Sequence, residues 1–200
     1  DTCSWHIGYT KRLRNDKDMN RHIFTSLAAI IAFSGIKAQN APATPKVVIN
    51  ITIDQLRFDY VDAFSPLYGE KGFKRLLKSG RVYENATFDY ACIDQSNATA
   101  TIHTGASPSL HGIIGKLWFD RNTLRVINCV EDVHFMGYAT SENSSAERLK
   151  VSTISDELMI ASEGKSYAYS IAPTREMAVL MAGHASSGAF WLNDETGKWS

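Results

Sequence analysis

The strongest constraint on the fold is an apolar run at residues 46–53, KVVINITI, which ends at Asp54. Its β-branched residues and its length predict a buried central strand of a parallel sheet. Residue spacing typical of helices follows at 58–64 and 72–78, which predicts two helices, and a second strand is predicted at 82–88. This alternation of strands and helices predicts an α/β fold.

The second half of the chain continues with short predicted elements. Residues 96–104 carry small side chains that predict a tightly packed helix, and residues 153–162 predict another helix that begins with a capping pattern at Ser155. Apolar segments flanked by turn residues predict the remaining β structure, namely hairpins at 119–130 and 189–199 and strands at 167–171 and 178–181.

The N-terminal region has the layout of a secretory signal peptide at residues 19–39, with a basic start, an apolar run and small residues at its end. The apolar run is shorter than the ~20 residues that cross a bilayer, so a transmembrane anchor is the weaker alternative. We therefore expect an exported protein, periplasmic or extracellular in a bacterium, with no stable membrane span after signal removal. Residues 1–18 are interpreted as an upstream or non-native segment, 40–45 as a linker and 46–200 as the folded domain.

Charge and cysteine content exclude several classes of function. The 21 basic residues balance the 21 acidic ones, which removes the electrostatic case for nucleic acid or a membrane surface as a partner. A small polar or charged ligand remains open. Cys3, Cys92 and Cys129 fit neither a zinc knuckle nor a disulfide framework. We expect Cys92 and Cys129 to be buried thiols, with pairing after export as the alternative.

Asp54 lies where open α/β sheets place their ligands, although a helix-capping role fits its position equally well. The window 51–60, ITIDQLRFDY, resembles the first metal motif of the nucleotide pyrophosphatase/phosphodiesterase and bacterial alkaline phosphatase branch of the alkaline phosphatase superfamily. Segments 80–85, 104–115 and 182–191 add partial matches in the same order. Together these segments identify the chain as similar to that superfamily.

This resemblance covers about residues 47–200 and implies a three-layer alkaline-phosphatase-like sandwich with a mostly parallel central sheet, of which the chain is the N-terminal portion. The implied chemistry is hydrolysis of phosphate mono- or diesters, in which two zinc ions assist the attack of a Thr or Ser hydroxyl on phosphorus. Asp54 is the implied metal ligand, and the other ligands are expected beyond Ser200. The chain alone is therefore expected to be inactive.

Two positions depart from the pattern of the superfamily. Ungapped counting back from the 104–115 match places Gln95 at the position of the nucleophile, and glutamine cannot perform that attack. Ser96 and Thr99 are the neighbouring hydroxyls that can substitute, although such groups more often pack or cap. Lys116 stands where the bacterial phosphatases have a phosphate-binding asparagine. Arg175 lies in the region of a phosphate-clamping pair, so both cations are predicted to bind substrate, although a solvated loop lysine fits position 116 equally well.

Three histidines are interpreted as structural groups, because the resemblance places histidine metal ligands beyond the end of the chain. His111 and His184 are predicted hydrogen-bonding residues, and His103 is a predicted core residue. Two functions stay open: an exported phosphomonoesterase or phosphodiesterase, and a catalytically silent relative that binds a metal, a phosphorylated ligand or a protein. A sulfatase is disfavoured because its motif is missing around Gln95. The oligomeric state is not predicted.

Overall fold

The computed structural model describes residues 45–200. The predictions for the upstream segment, the signal peptide and most of the linker therefore lie outside the described residues. Within 45–200, no helix has the length and apolar character needed to cross a membrane. The described residues form one compact unit, in which helices are followed by a β-hairpin and helices and strands alternate only from residue 154 onward.

The helices of the described region are α1 (Phe58–Ala63), α2 (Phe73–Ser79), α3 (Gln95–Thr104), α4 (Pro108–His111), α5 (Ile154–Ala161) and α6 (Arg175–Ala182), with a 3-10 turn at Ser65–Leu67. The strands are β1 (Leu117–Asp120), β2 (Arg125–Asn128), β3 (Tyr169–Ala172) and β4 (Gly188–Trp191). Strands β1 and β2 form an antiparallel hairpin, whereas β3 and β4 pair in parallel.

Two helices begin at side-chain caps that the sequence encodes locally. The Asp94 carboxylate accepts a hydrogen bond from the backbone N–H of Asn97 at 2.9 Å, and this capping box starts α3. Helix α5 starts at a similar box between Thr153 and Asp156, rather than at the predicted Ser155. Because these caps satisfy N–H groups that the first turn leaves unpaired, they define where each helix begins. Both helices were predicted from sequence, and both predictions are confirmed.

The hydrophobic core forms around α6, which packs against α3, β3 and β4. The buried core side chains include Ala100, Ile113, Cys129, Val130, Leu149, Leu180 and Trp191. Burying a large apolar side chain contributes about 1.5–3 kcal/mol each, so these contacts dominate the stability of the unit. Helix α6 is consequently held in the interior, and Glu176 in its first turn contacts Asn128 at the end of β2 and Lys116 just before β1.

The prediction of a buried strand at residues 46–53 is wrong for the described chain. This run forms no strand, and Val47, Ile49 and Ile51 are 76%, 77% and 77% exposed. A buried strand needs hydrogen-bonded neighbours on both edges, and residues 45–200 provide none for this run. Apolar composition alone therefore did not determine burial.

The other differences concern short segments. Residues 82–88 form no strand, and the predicted strand at 178–181 lies inside α6. A four-residue apolar run fits a helix or a strand equally well, and the Met, Ala and Leu residues of this segment favour the helix. The mostly parallel central sheet is likewise not formed by the described residues, which contain one antiparallel and one parallel strand pair.

Both hairpin predictions are confirmed. The first is β1–β2, and in the second Trp191 and Ser200 exchange backbone hydrogen bonds of 3.1 and 2.9 Å. The cysteine prediction is half right, because Cys129 is buried but Cys92 is exposed, and both are free thiols. Burial raises the pKa of the Cys129 thiol to about 12, which makes it an inert core group.

Candidate active site

The structure brings Asp54 and Gln95 together at the edge of one cavity of about 540 Å³, here called the Asp54 cavity. The Gln95 side-chain amide donates a hydrogen bond from Nε2 to Oδ2 of Asp54 at 2.8 Å. Asp54 lies in the turn after residues 46–53, and Gln95 is the first residue of α3. The predicted metal ligand and the predicted nucleophile position therefore meet, although they are far apart in sequence.

The two hydroxyl candidates on α3 are both buried and both engaged. Thr99 lines the Asp54 cavity, but it is 3% exposed and its Oγ1 donates to the backbone oxygen of Gln95 at 2.7 Å. Ser96 is 2% exposed and hydrogen-bonds to the thiol of Cys129. Neither hydroxyl is free to attack a substrate in this geometry.

Lys116 and Arg175 meet at a second, smaller cavity of about 250 Å³, the Lys116 cavity. The Lys116 Nζ lies 3.5 Å from a carboxylate oxygen of Glu176. The Arg175 guanidinium lies 3.2 Å from Glu142 and 3.6 Å from Glu176. The two predicted substrate-binding cations are thus close together, and each is paired with an acid.

Glu176 was not singled out from the sequence. It is 5% exposed, and its carboxylate accepts a 2.7 Å hydrogen bond from Asn128. Burial by itself raises the pKa of Glu176, but the Asn128 amide and the charges of Lys116 and Arg175 outweigh it and hold the pKa below its ordinary value. This ionised carboxylate neutralises the cations, so any anion that binds to them must compete with it. An acidic residue in a first helical turn normally indicates only favourable interaction with the helix dipole.

Asp94 is a second residue that the sequence analysis missed. One of its carboxylate oxygens caps α3, and the other accepts a hydrogen bond from the backbone N–H of Lys116 at 2.7 Å. The loop that carries Lys116 is therefore attached to the start of the helix that carries Gln95. An Asp directly before a predicted helix is a recognised N-cap signal and could have identified it.

Helix α6 borders both cavities with consecutive residues. Met177 lines the Asp54 cavity, and Glu176 lines the Lys116 cavity. Both side chains are buried, at 5% exposure each. The start of α6 therefore contributes to the walls of both cavities.

The described residues do not by themselves fit a two-zinc site. Within residues 45–200, no group of three or more His, Cys, Asp or Glu side chains is placed to hold a metal ion. Structural and catalytic zinc sites use three or four protein ligands per ion. Asp54 supplies one carboxylate at the Asp54 cavity and is already bonded to the Gln95 amide.

The interpretation of His111 and His103 as structural residues is confirmed. The Nδ1 of His111 accepts a hydrogen bond from the backbone N–H of Ile113 at 3.1 Å, and its Nε2 lies 3.1 Å from the hydroxyl of Thr101. His111 is fully buried and His103 is 4% exposed. Burial lowers the pKa of both rings, which are therefore neutral groups of the core.

The predicted hydrogen-bonding role of His184 is also confirmed. Its Nδ1 lies 3.0 Å from a carboxylate oxygen of Asp156, and its Nε2 lies 2.8 Å from the carbonyl oxygen of Leu149. Asp156 also accepts hydrogen bonds from the backbone N–H groups of Thr153, His184 and Ala185, each at 2.8 Å. Since a carboxylate and a carbonyl can only accept, both ring nitrogens must donate, and the ring is an imidazolium in this arrangement.

Folding stability is expected to depend on pH through this ion pair. Burial alone lowers the pKa of His184, but the Asp156 carboxylate and the Leu149 carbonyl outweigh it and raise the pKa above its ordinary value. The stability that the charged ring contributes is fully present below about pH 6.5 and is lost as pH rises through the raised pKa. Burial alone raises the pKa of Asp156, but the hydrogen bonds that its carboxylate accepts outweigh burial and lower the pKa. The stability that the ionised carboxylate contributes is therefore lost only as pH falls below about 4.

The difference in unfolding free energy between the wild type and His184→Gln tests this dependence. We expect it to be largest between about pH 4.5 and 6.5 and to shrink by roughly 0.5–1 kcal/mol toward pH 9, a modest change because the ring is partly exposed. Urea denaturation at each pH measures it. A difference that stays constant across this range contradicts a charged His184.

Comparison with known proteins agrees with the sequence resemblance. Residues 48–198 match the family described as Type I phosphodiesterase / nucleotide pyrophosphatase. Alkaline phosphatase PhoV of Synechococcus elongatus is 38% identical over 160 residues, which are 78% of this chain and 29% of that protein. Alkaline phosphatase PafA of Elizabethkingia meningoseptica is 34% identical over 169 residues, covering 82% of this chain and 31% of that protein.

A crystal structure of wild-type alkaline phosphatase PafA is similar with a TM-score of 0.75 at 34% identity, and the match covers 80% of this chain and 32% of that one. This likeness confirms the predicted alkaline-phosphatase-like α/β fold class. The chain spans about 30% of the length of the curated relatives that it matches. With most of its residues matched by the family and a relative at 38% identity, the chain belongs to the Type I phosphodiesterase / nucleotide pyrophosphatase family.

Proposed function

We propose that the protein containing this chain hydrolyses phosphate mono- or diesters. The proposal is supported by family membership and by similarity to PhoV and PafA, which are both named alkaline phosphatases. The structural observation that supports it is the hydrogen bond between Asp54 and Gln95 at the edge of a cavity of about 540 Å³. Gln95 is the residue at the predicted nucleophile position. Since the chain spans only about 30% of these relatives, the activity is proposed for the whole protein.

Zinc dependence and export are parts of the same proposal. The carboxylate of Asp54 supports the first, because it lines a cavity and carboxylate oxygens are among the ligands that zinc takes in proteins. The signal-like sequence at residues 19–39 supports the second. A phosphorylated small molecule is the proposed substrate.

Thr99 is the hydroxyl that this proposal favours for attack on phosphorus. Its side chain lines the Asp54 cavity, whereas Ser96 is absent from that lining and contacts Cys129. To act, Thr99 must exchange its hydrogen bond to the backbone oxygen of Gln95 for a contact with substrate. This rearrangement is expected to make turnover slow.

A second candidate function is a catalytically silent member of the family that binds a metal, a phosphorylated ligand or a protein. Specific observations favour it. Gln95 occupies the nucleophile position and holds Asp54, and both neighbouring hydroxyls are engaged. The phosphate-clamping candidate Lys116 is paired with buried Glu176.

Hydrolysis of p-nitrophenyl phosphate and bis-p-nitrophenyl phosphate by the full-length protein, with and without added zinc, distinguishes the two candidates. The hydrolase proposal predicts slow zinc-dependent turnover that falls at least about 10²-fold in Asp54→Asn, because the cation would lose a ligand. Glu70→Gln is the control: this exposed carboxylate pairs with Lys74, lines neither the Asp54 cavity nor the Lys116 cavity, and is expected to change turnover less than about twofold. No turnover of either ester, with zinc bound, refutes the hydrolase and supports the silent relative.

A further inference from the structure

Asn97 connects separate segments of the chain from inside the first turn of α3. Its side chain is buried at 1% exposure. Its Oδ1 accepts a hydrogen bond from the backbone N–H of Asp94 at 3.0 Å, and its Nδ2 donates to the carbonyl oxygens of Cys92 at 2.7 Å and Ile114 at 3.0 Å. Breaking any of these bonds would leave a buried polar group unpaired, so Asn97 holds the loop at Ile114 against the segment that precedes α3.

Asp94 makes a second connection between the same segments, and it does so at Lys116. One oxygen of its carboxylate caps α3 at Asn97, and the other accepts a 2.7 Å hydrogen bond from the backbone N–H of Lys116. The carbonyl oxygen of Lys116 accepts a 2.9 Å bond from the backbone N–H of Cys129, directly after β2. Both backbone polar groups of Lys116 are therefore paired, and its main chain is held between the start of α3 and the end of β2.

The side chain of Lys116 is exposed, in contrast to its fixed main chain. Its Nζ lies 3.5 Å from a carboxylate oxygen of Glu176 at the Lys116 cavity. A lysine side chain loses conformational freedom when it binds an anion, and the ordering of a loose loop would add to that cost. Because the main chain at Lys116 is fixed in advance, only the side chain remains to be ordered when an anion binds.

We propose that Asp94 is a positioning residue for phosphate binding by Lys116, and that Asn97 completes the connection. The bond from the Lys116 N–H to Asp94 keeps the loop at 114–116 beside Gln95, which follows Asp94 and begins α3. The cation and the nucleophile position are thereby held on one fixed piece of backbone. Asp94 acts only through Lys116, since both of its oxygens are bonded and a carboxylate repels an anion.

Gly115→Ala in the full-length protein tests this positioning without changing any charge. A Cβ atom at Gly115 would lie 3.0 Å from Oδ2 of Asp94, the oxygen that Lys116 contacts, and its other neighbours are at 3.8 Å or beyond. The methyl group must therefore displace this oxygen, and we expect the affinity for inorganic phosphate, measured by calorimetry, to fall about fivefold. Gly69→Ala is the matched control, because a Cβ atom there meets nothing within 4 Å and the affinity should not change. Neither glycine has a positive φ, so alanine fits both backbones.

A double-mutant cycle with Lys116→Ala separates positioning from a general loss of stability. Lys116→Ala alone is expected to weaken phosphate binding about tenfold. Asp94→Ser keeps an oxygen that can cap α3, but its shorter side chain cannot also reach Lys116. It is expected to weaken binding about fivefold, although removal of a carboxylate by itself favours an anion. In the Lys116→Ala background we expect no weakening from Asp94→Ser or Gly115→Ala, because the group that Asp94 positions is gone.

A fall in either variant that disappears without Lys116 supports the inference, and an equal fall in both backgrounds overturns it, because Asp94 would then act through the fold as a whole. Unchanged affinity in both variants overturns it too, and leaves the proposed function standing if Lys116→Ala weakens binding. The inference rests on the proposed function in taking Lys116 as a phosphate-binding group. If Lys116→Ala binds phosphate as tightly as the wild type, or if the wild type shows no saturable binding, that assignment and the inference fail together. Phosphate binding without ester hydrolysis would refute the hydrolase alone.

Discussion

Replacing Gly183 with alanine is expected to lower the free energy of unfolding by roughly 3–5 kcal/mol. Gly183 ends α6 with φ 77° and ψ −159°, a backbone region open essentially only to glycine. A Cβ atom there would come within 2.6 Å of a carboxylate oxygen of Asp156 and closer still to the hydroxyl of Thr153. The substitution would therefore strain the backbone and displace the buried acceptor that His184 and α5 share. Urea denaturation at pH 6 measures the loss.

Gly164→Ala is the matched control for this prediction. Gly164 has a similar φ of 75°, but a Cβ atom at that position meets nothing within 4 Å. Only the cost of the left-handed conformation applies there, about 1–2 kcal/mol. Equal losses in the two variants would show that crowding against Asp156 contributes nothing.

Replacing Gln95 with threonine is expected to raise the rate of p-nitrophenyl phosphate hydrolysis by the full-length protein at least about 10²-fold. This prediction depends on the proposed function. The substitution would place a hydroxyl at the first position of α3, next to the Asp54 carboxylate that the Gln95 amide contacts at 2.8 Å. It would also free Asp54 from that amide, and a nucleophile near a metal-binding carboxylate is the arrangement that phosphoryl transfer requires.

Gln95→Val separates the hydroxyl from the release of Asp54, because valine has the shape of threonine without its oxygen. We expect the valine variant to show no gain in turnover, while zinc binding, measured by calorimetry, increases in both variants. A gain of the same size in the valine variant would assign the effect to Asp54 alone. No gain in the threonine variant would contradict the assignment of position 95 as the nucleophile position.

Local chemistry explains which elements could be predicted from the sequence. The α3 and α5 helices carry their own capping residues, and the turn between β1 and β2 is made by polar residues, with Asp120 accepting hydrogen bonds from Asn122 and Thr123. These interactions join residues two or three positions apart. A pattern within a short window therefore contains most of the information that places such elements.

Burial in contrast depends on which other segments are present. The run at 46–53 has the composition of an interior strand, yet its side chains are exposed because no described strand pairs with it. The same limit applies to the site. The sequence indicated Asp54 and Gln95 separately, but not the hydrogen bond between them, and it contained no sign that Glu176 is buried beneath Lys116 and Arg175. These facts arise from packing between distant segments.

Helix α6 contributes adjacent residues to two different cavities. Glu176 and Met177 are adjacent on this helix, and their side chains leave it about 100° apart, toward different cavities. An anion that draws Lys116 away from Glu176 would leave this buried carboxylate with Asn128 and Arg175 as its partners, one residue before the helix enters the wall of the Asp54 cavity. A substitution at either of these two helix positions therefore changes the neighbour of a residue that lines the other cavity.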